Sequence, residues 1–598
     1  MIPALYKSGI LSLALAILAD TAQAAPYIHR RAALTTTTRP LRPSPGNRTH
    51  YSTGQPRLGS STADPTFLTT ASGPVTILTP HERATAVHAT QLKEANAAWG
   101  ASQNLSITWK QFPEGSDYAA DYVNQVLQAC RTGQSSFDVV WVESAYVGAL
   151  SECLEDVWAW DEAAAGGHAE VVARGGVVAE RLVALPAELS FGILLYNSDL
   201  LERYGYGYPP DTLNEFEEMA TAVLMGERML ENYKMAGWTG PLSSSEDLTS
   251  TVAEWIQSIG SSIIDDNGSV TVGTTQVANL LARLTRWLES GIIDPSDVGQ
   301  STLTSSLNRF LAGQALFART TTAHVPGIIS SASSAGFDWG IAPVPSDLES
   351  GLGVGTAEGW LVGTYRHSQN KAGAMKVVEY LTSQEYQKAK ILDLGAAMVG
   401  TYPSFLLDRS ICQAYGTVRS TSLCMVYSQV SVNRRPVSQA GARYANVTAA
   451  VQATVLEVMT GATAIVPALK ALDARLRVIM GQPAVELSLE IDDSIVVRPG
   501  KKSLDQLGTQ LAGLCVVLAV TAVVVVGLRR TQRREIEKQL MAGNPGQNPP
   551  QGQAGPSSPG TGDGQPEMRE AGSSSSKQDK GKGAEYEALI DKSEKIEI

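Results

Sequence analysis

No residue between positions 507 and 528 carries a charge, and the stretch LAGLCVVLAVTAVVVVGL at residues 511–528 is apolar almost throughout. A helix needs about 20 such residues to cross a bilayer core, so this segment reads as a transmembrane helix and divides the chain. Arg529, Arg530, Arg533 and Arg534 follow it directly, whereas Lys501, Lys502 and Asp505 precede it. Basic residues gather on the cytoplasmic side, which puts the tail, residues 529–598, inside and the larger N-terminal part outside. The chain's start agrees: Lys7 precedes GILSLALAILA and then AQA at residues 22–24, the pattern of a cleaved secretory signal peptide over residues 1–24. The expectation is a single-pass protein of the cell membrane with an extracellular N-terminal domain.

Two features test the compartment. Asn47, Asn104, Asn267 and Asn446 stand in Asn-x-Ser/Thr sequons, candidate glycosylation sites in a secretory route. Of the five cysteines, Cys515 lies in the apolar segment, leaving Cys130, Cys153, Cys412 and Cys424 outside. Four cysteines allow three pairings, of which the local pairs Cys130 with Cys153 and Cys412 with Cys424 are the simplest, and an oxidising compartment favours disulfides over free thiols.

Hydrophobic content is 43% but unevenly placed. Residues 25–70 are rich in Thr, Pro, Ser and Arg, and residues 540–584 in Gly, Pro, Gln and Ser, compositions that do not pack. All ten tryptophans fall between Trp99 and Trp360. The folded body is therefore residues 71–482, followed by a juxtamembrane segment, 483–506. A net charge of −12 gives no basic face for nucleic acid. The body holds no HExxH, GxSxG or Walker loop, and its histidines, His81, His88, His168, His324 and His367, lack metal-ligand spacing beyond the pair His81 and His88 on one helix, which reads as a helix face rather than a zinc site. An enzyme is not expected, nor a cofactor or a metal. In the tail, Tyr586 to Leu589 spell a Tyr-x-x-apolar element of the kind endocytic adaptors read; Tyr586 among acids is equally a candidate phosphorylation site.

The body alternates strand-like and helix-like segments. PVTIL at residues 74–78 is followed by ERATAVHATQLKEANAAW with helical apolar spacing, then by LSITWK, DYAADYVNQVLQAC and FDVVWV. Such alternation predicts βαβ units and a parallel sheet covered on both faces. Ligands bind beyond the carboxyl ends of strands in sheets of this kind. Glu82, after the first strand, and Glu143, at the end of the third, are thereby placed near a shared crevice.

Several pieces, in order, resemble one family. FDVVWVESAYVGALSECLEDV is similar to the "DVV-acid-x-x-W-x-x-x-F" strand and helix of family 1 extracellular solute-binding proteins, the maltose/trehalose-type receptors of bacterial sugar importers. LPAELSFGILLYNSDLLERYGYGYPPDTLNEFEEMA, residues 185–220, resembles that family's crossing strand, its "LLYYRKDLLEKYG" element and the "PP-x-TW-x-E" start of the next helix. The likeness runs on through GWTGPLSSSEDLTSTVAEWIQSIGSSIIDDNG, FDWGIAPVP and GTAEGWLVG to RPVSQAGARYANVTAAVQATVLEVMTG.

The resemblance implies an α/β, bilobal periplasmic-binding-protein-like II fold with a sugar held in the interlobe cleft, here with one transmembrane helix added. Lobe 1 is expected to combine residues 71–188 with 364–410, and lobe 2 residues 189–355 with 411–482. The chain would cross between them near 185–190 and 355–360, the hinges. A sugar's hydroxyls donate and accept hydrogen bonds and its C–H faces stack on rings, so its site needs carboxylates and aromatics. Trp360 matches the Trp of the family's "GGW" turn; Gly359 is kept there and Glu358 replaces the first Gly. Trp238 in GWTG resembles a second stacking position, while Trp255 follows its helix's apolar stripe and reads as core. Glu143 matches the acid ending the third strand, and Glu82 and Glu246 stand where relatives place polar contacts. Ser190 stands where many relatives have Asp, Ser245 replaces a Tyr, and Arg435 before Pro436 is a further candidate. The expected function is capture of a carbohydrate, disaccharide-like, by hinge closure, for uptake or sensing, with a separate transporter or signalling partner because the chain has no nucleotide site. The alternative is an adhesion or scaffold protein with a degenerate cleft, which the serines at 190 and 245 would suit.

Overall fold

The run VVWVE becomes strand β3, Val139–Glu143, buried at every residue but its last, as a strand covered on both faces requires. It lies beside β1, Gly73–Thr79, which pairs with β2, Leu105–Gln111. Both pairings are parallel, with Ile77 opposite Val139 and Gly73 opposite Leu105. The computed structural model describes residues 71–80, 90–113, 116–331, 336–394 and 399–492. Glu82, Asn47, the signal peptide, residues 25–70 and the apolar segment 507–528 with its tail lie outside them. Among the described residues no helix is long and apolar enough to cross a membrane.

Helix α1, Thr90–Ser102, covers β2, and α2, Asn124–Thr132, precedes β3. Gly133 ends α2 at φ 68°, the left-handed cap that a glycine adopts without strain. After β3 come the hairpin β4, Val177–Val178, with β5, Arg181–Leu182, and then the long strand β6, Leu185–Asn197. Farther on are α3, Leu213–Met229, β7, Ala236–Thr239, α4, Glu246–Ser258, and α5, Thr275–Ser290. Strands β8, Ala315–Thr321, β9, Trp339–Ala342, and β10, Gly353–Thr364, follow. The chain closes with α6, Lys371–Thr382, α7, Gln384–Leu394, the hairpin β11, Thr417–Val418, with β12, Thr421–Ser422, strand β13, Val430–Arg434, and helices α8, Tyr444–Met459, and α9, Ile465–Met480.

The main sheet runs β2-β1-β3-β10-β6-β8-β7, with β13 on β10 and β9 on β6. It is mixed rather than parallel: β10 is antiparallel to both β3 and β6. Local apolar patterning predicts strands but not their direction, which the return of β10 from a distant part of the chain decides. Two strands are shared between two halves of this sheet. Strand β6 pairs with β10 from Leu185 to Ser190, then with β8 and β9 from Gly192 to Asn197. Strand β10 pairs with β13 from Gly353 to Ala357, then with β6 and β3 from Glu358 onward. At this second exchange Gly359 has φ 127°, and a Cβ there would overlap the Glu188 carbonyl oxygen, so glycine is required.

A third connection follows β13. The short helix Val437–Ala440 packs on Val147–Leu150 of the first half, with Gly148 against the Gly441 backbone, before α8 returns to α4 and α5 in the second. The body also extends past residue 482. Leu489 and Ile491 pack on the core, and the Asp492 N–H donates to Asn279 Oδ1 of α5 at 2.8 Å. Disulfides join Cys130 to Cys153 and Cys412 to Cys424, with Cα separations of 5.5 and 5.4 Å.

Candidate functional site

The end of β3 is shaped by its own last residue. Glu143 Oε2 accepts the Ala145 N–H at 2.8 Å and caps the turn Ser144–Tyr146, and its own N–H donates to the Tyr118 hydroxyl at 2.8 Å. Tyr122, one turn on from Tyr118, donates its hydroxyl to the Leu78 and Trp141 carbonyls and ties β1 to β3. The Tyr118 ring meets Trp360 and Tyr146 edge to face, each with centroids 5.2 Å apart. Trp360 itself is opposite Glu143 in the β10–β3 register. It is 2% exposed, so its indole forms the floor of this aromatic group, and the half-buried Tyr146 offers a ring nearer solvent.

Above that floor Arg435 gathers carboxylates. Its Nη2 donates to Glu143 Oε1 at 3.0 Å and to Ser144 Oγ at 2.7 Å, and its Nη1 to Glu246 Oε2 at 3.1 Å. The Tyr444 hydroxyl donates to the same Glu246 oxygen at 2.6 Å. Burial alone lowers the Arg435 pKa, but Glu143, Tyr444, Glu246 and Glu358 around it raise it well above the usual arginine value. Burial wins at Glu143, whose carboxyl stays above the usual range in spite of Arg435.

A second guanidinium lies deeper. Arg319 of β8 donates to Glu254 Oε2 at 3.2 Å and to Glu254 Oε1 and Glu358 Oε1 at 3.0 Å each, with Asp247 Oδ1 at 3.9 Å. Glu254 Oε1 also accepts the N–H of Thr356, within the shared strand β10, at 3.1 Å. Burial raises the Glu358 pKa, but Arg319 and then Arg435 outweigh it and hold the carboxyl below its ordinary value; at Glu254 burial prevails and the pKa is raised.

The structure thus brings together Glu143, Glu246, Glu358, Gly359, Trp360 and Arg435. Ser190, opposite Glu358 in register, is buried and accepts hydrogen bonds from Ala323 N–H and Thr322 Oγ1, at 3.2 and 3.3 Å. Trp238 is not in this group: it is 4% exposed and packs against Trp255, 5.6 Å away, in the core behind α4. Tyr118, Tyr146, Tyr444, Asp247, Glu254 and Arg319 were not anticipated from the sequence. One signal was available, since an arginine inside the apolar run ALFARTT must be buried with counter-charges if that run is a strand. A cavity of about 40 Å3 lies among Ser144, Glu188, Glu358, Gly359 and Arg435. This is far below the roughly 300–1,000 Å3 of a small-molecule site, whereas a cavity of about 370 Å3 lies beside it among Val171, Gln257, Asp265, Asp266, Arg434 and Gln439.

A model of the bacterial extracellular solute-binding proteins matches residues 102–400, half of the 598-residue chain. The chain belongs to that family. Among solute-binding proteins, a probable ABC transporter-binding protein of Deinococcus radiodurans is 29% identical over 395 residues, covering 66% of this chain and 91% of that one. Maltose-bound MalE3 of T. maritima superposes with a TM-score of 0.54 at 21% identity, over 68% of this chain and all of its own. The sugar-binding protein MalE of the phytopathogen Xanthomonas citri gives 0.54 at 18%, over 68% and 97%. The GacH receptor of Streptomyces glaucescens gives 0.53 at 16%, over 69% and 99%. These likenesses establish the two-lobed, maltose-binding-protein-like fold.

Proposed function

We propose that this solute-binding protein captures a carbohydrate of disaccharide size in the cleft between its lobes, which close by rotation about the shared strands β6 and β10. The lobe division follows the exchanges of pairing at residues 190–192 and 357–358, with 430–443 as a third link. The observation that carries the reading is the convergence, from both lobes, of Glu143, Glu246 and Arg435 on a group of tyrosines over Trp360. Carboxylates accept from sugar hydroxyls, guanidinium N–H groups donate to them, and an aromatic wall suits the C–H faces. Closure then follows from the ligand's better contacts with the closed state.

In this reading residues 1–24 direct export, residues 507–528 hold the lobes at the outer face of the cell membrane, and the tail is cytoplasmic. Two disulfides support an oxidising surrounding. Exposure of Asn104, Asn267 and Asn446 supports glycosylation. The captured sugar passes to a separate transporter or is read by a signalling partner. Calorimetry of the purified protein against maltose, trehalose, sucrose, cellobiose and lactose tests the reading: one of them should bind with micromolar or tighter affinity, and heat from none of the panel or its monosaccharides would end it.

A further inference from the structure

The groups that converge on the cleft are also bonded to one another across it, by protein atoms alone. Glu143 and Ser144 belong to the lobe built on β1, β2 and β3; Glu246 and Tyr444 begin α4 and α8 of the other. Arg435, on the connection after β13, holds Glu143 and Ser144 with Nη2 and Glu246 with Nη1. Its side chain is 3% exposed, against 15% and 20% for the two carboxylates.

We infer that Arg435 is a latch, which draws the lobes together in the unliganded protein and sets how much of it is closed before a sugar arrives. The inference rests on the two-lobed cleft proposed above, and concerns its regulation. The physical reason is that one cation stands between two carboxylates carried by separate bodies. Rotation that opens the cleft pulls Arg435 away from Glu143 and Ser144, or away from Glu246, and breaks the hydrogen-bonded pairs it makes there. Closure without the guanidinium would instead press two partly buried carboxylates toward each other. The sugar therefore meets a protein already biased toward closure: its affinity gains by the populated fraction, and its entry waits on the latch's release.

The test measures lobe separation without sugar. Fluorophores on non-natural residues at Ser102 of α1 and Glu289 of α5, both exposed and one on each lobe, report the distance by single-molecule energy transfer in the intact protein. The parent should show a predominant closed population that shrinks modestly between 0.05 and 1 M NaCl, because pairs this buried are screened only in part. Arg435→Gln should shift the population toward open at all salt concentrations and abolish the salt response. Glu246→Gln, which keeps an acceptor for Tyr444, should do so in part, and carries the test alone if Arg435→Gln does not unfold cooperatively. A distance distribution indifferent to both substitutions and to salt overturns the latch. Because no sugar is added, a ligand panel without a binder leaves this result interpretable, and a sugar that binds a latchless protein equally well would remove the latch while sparing the cleft.

Discussion

Two buried arginines of this protein are surrounded alike and placed differently. Arg319 has Glu254 and Asp247 on α4, and Glu358 on the shared strand β10 at the point where its pairing passes from β13 to β6. Arg435 has one partner on each lobe. The Arg319 set centres on α4, whereas the Arg435 set joins the end of β3 to the start of α4. Glu254 is 1% exposed, whereas Glu143 and Glu246 keep a view of solvent.

That contrast can be broken most directly at Arg319. Arg319→Met should cost about 3–5 kcal/mol in chemical denaturation, because it strands Glu254 without a counter-charge in the interior. A loss under about 1 kcal/mol would put Arg319 in the same class as Arg435. Acidification offers a measure of what burial alone does elsewhere. His168 is buried against Thr401 and Tyr402, and burial lowers its pKa to about 4. The folded state resists protonation that the unfolded chain accepts at its ordinary value of about 6.5. Stability from this group is therefore complete above that value and is lost as pH falls toward 4, by up to roughly 3 kcal/mol. His168→Gln should flatten this part of the pH–stability curve.

Arg435→Gln should be milder than Arg319→Met, about 1–3 kcal/mol by denaturation, since Ser144 and Ala145 still donate to Glu143 and Tyr444 to Glu246. A penalty equal to that of Arg319→Met would mean that Arg435 supports the fold rather than its movement. The smallest effect expected is at Tyr146. Tyr146→Ala should weaken a bound sugar about fivefold by calorimetry and shift the melting temperature of the free protein little, as a half-buried ring contributes about 1 kcal/mol of contact.

The sequence pattern made β3 legible, because burial on both faces leaves an uninterrupted apolar run, while β6 and β10, interrupted by Glu188 and Glu358, were legible through the family resemblance; the cysteine pairs were legible by proximity alone. Strand direction was not, since nothing in GTAEGWLV tells that β10 returns antiparallel. The third connection was hidden too: β13 is only half-buried, and residues 435–443 carry no periodic signal. In the site, Glu143 was found from its position at a strand end, and Glu246 from its place in the family resemblance. Trp238 and Trp360 show the limit of reading an indole as a platform, for a ring's type does not tell which way it faces, and both are buried. Arg319 and Glu254 were missed because their meaning lies in each other, 65 residues apart.

The segment beyond α9 carries a mechanical consequence. Leu489 and Ile491 are pressed onto the body and Asp492 is fastened to Asn279. A tug on whatever follows residue 492 is thus delivered first to α5 and, through it, to the helices α4, α8 and α9 packed against it.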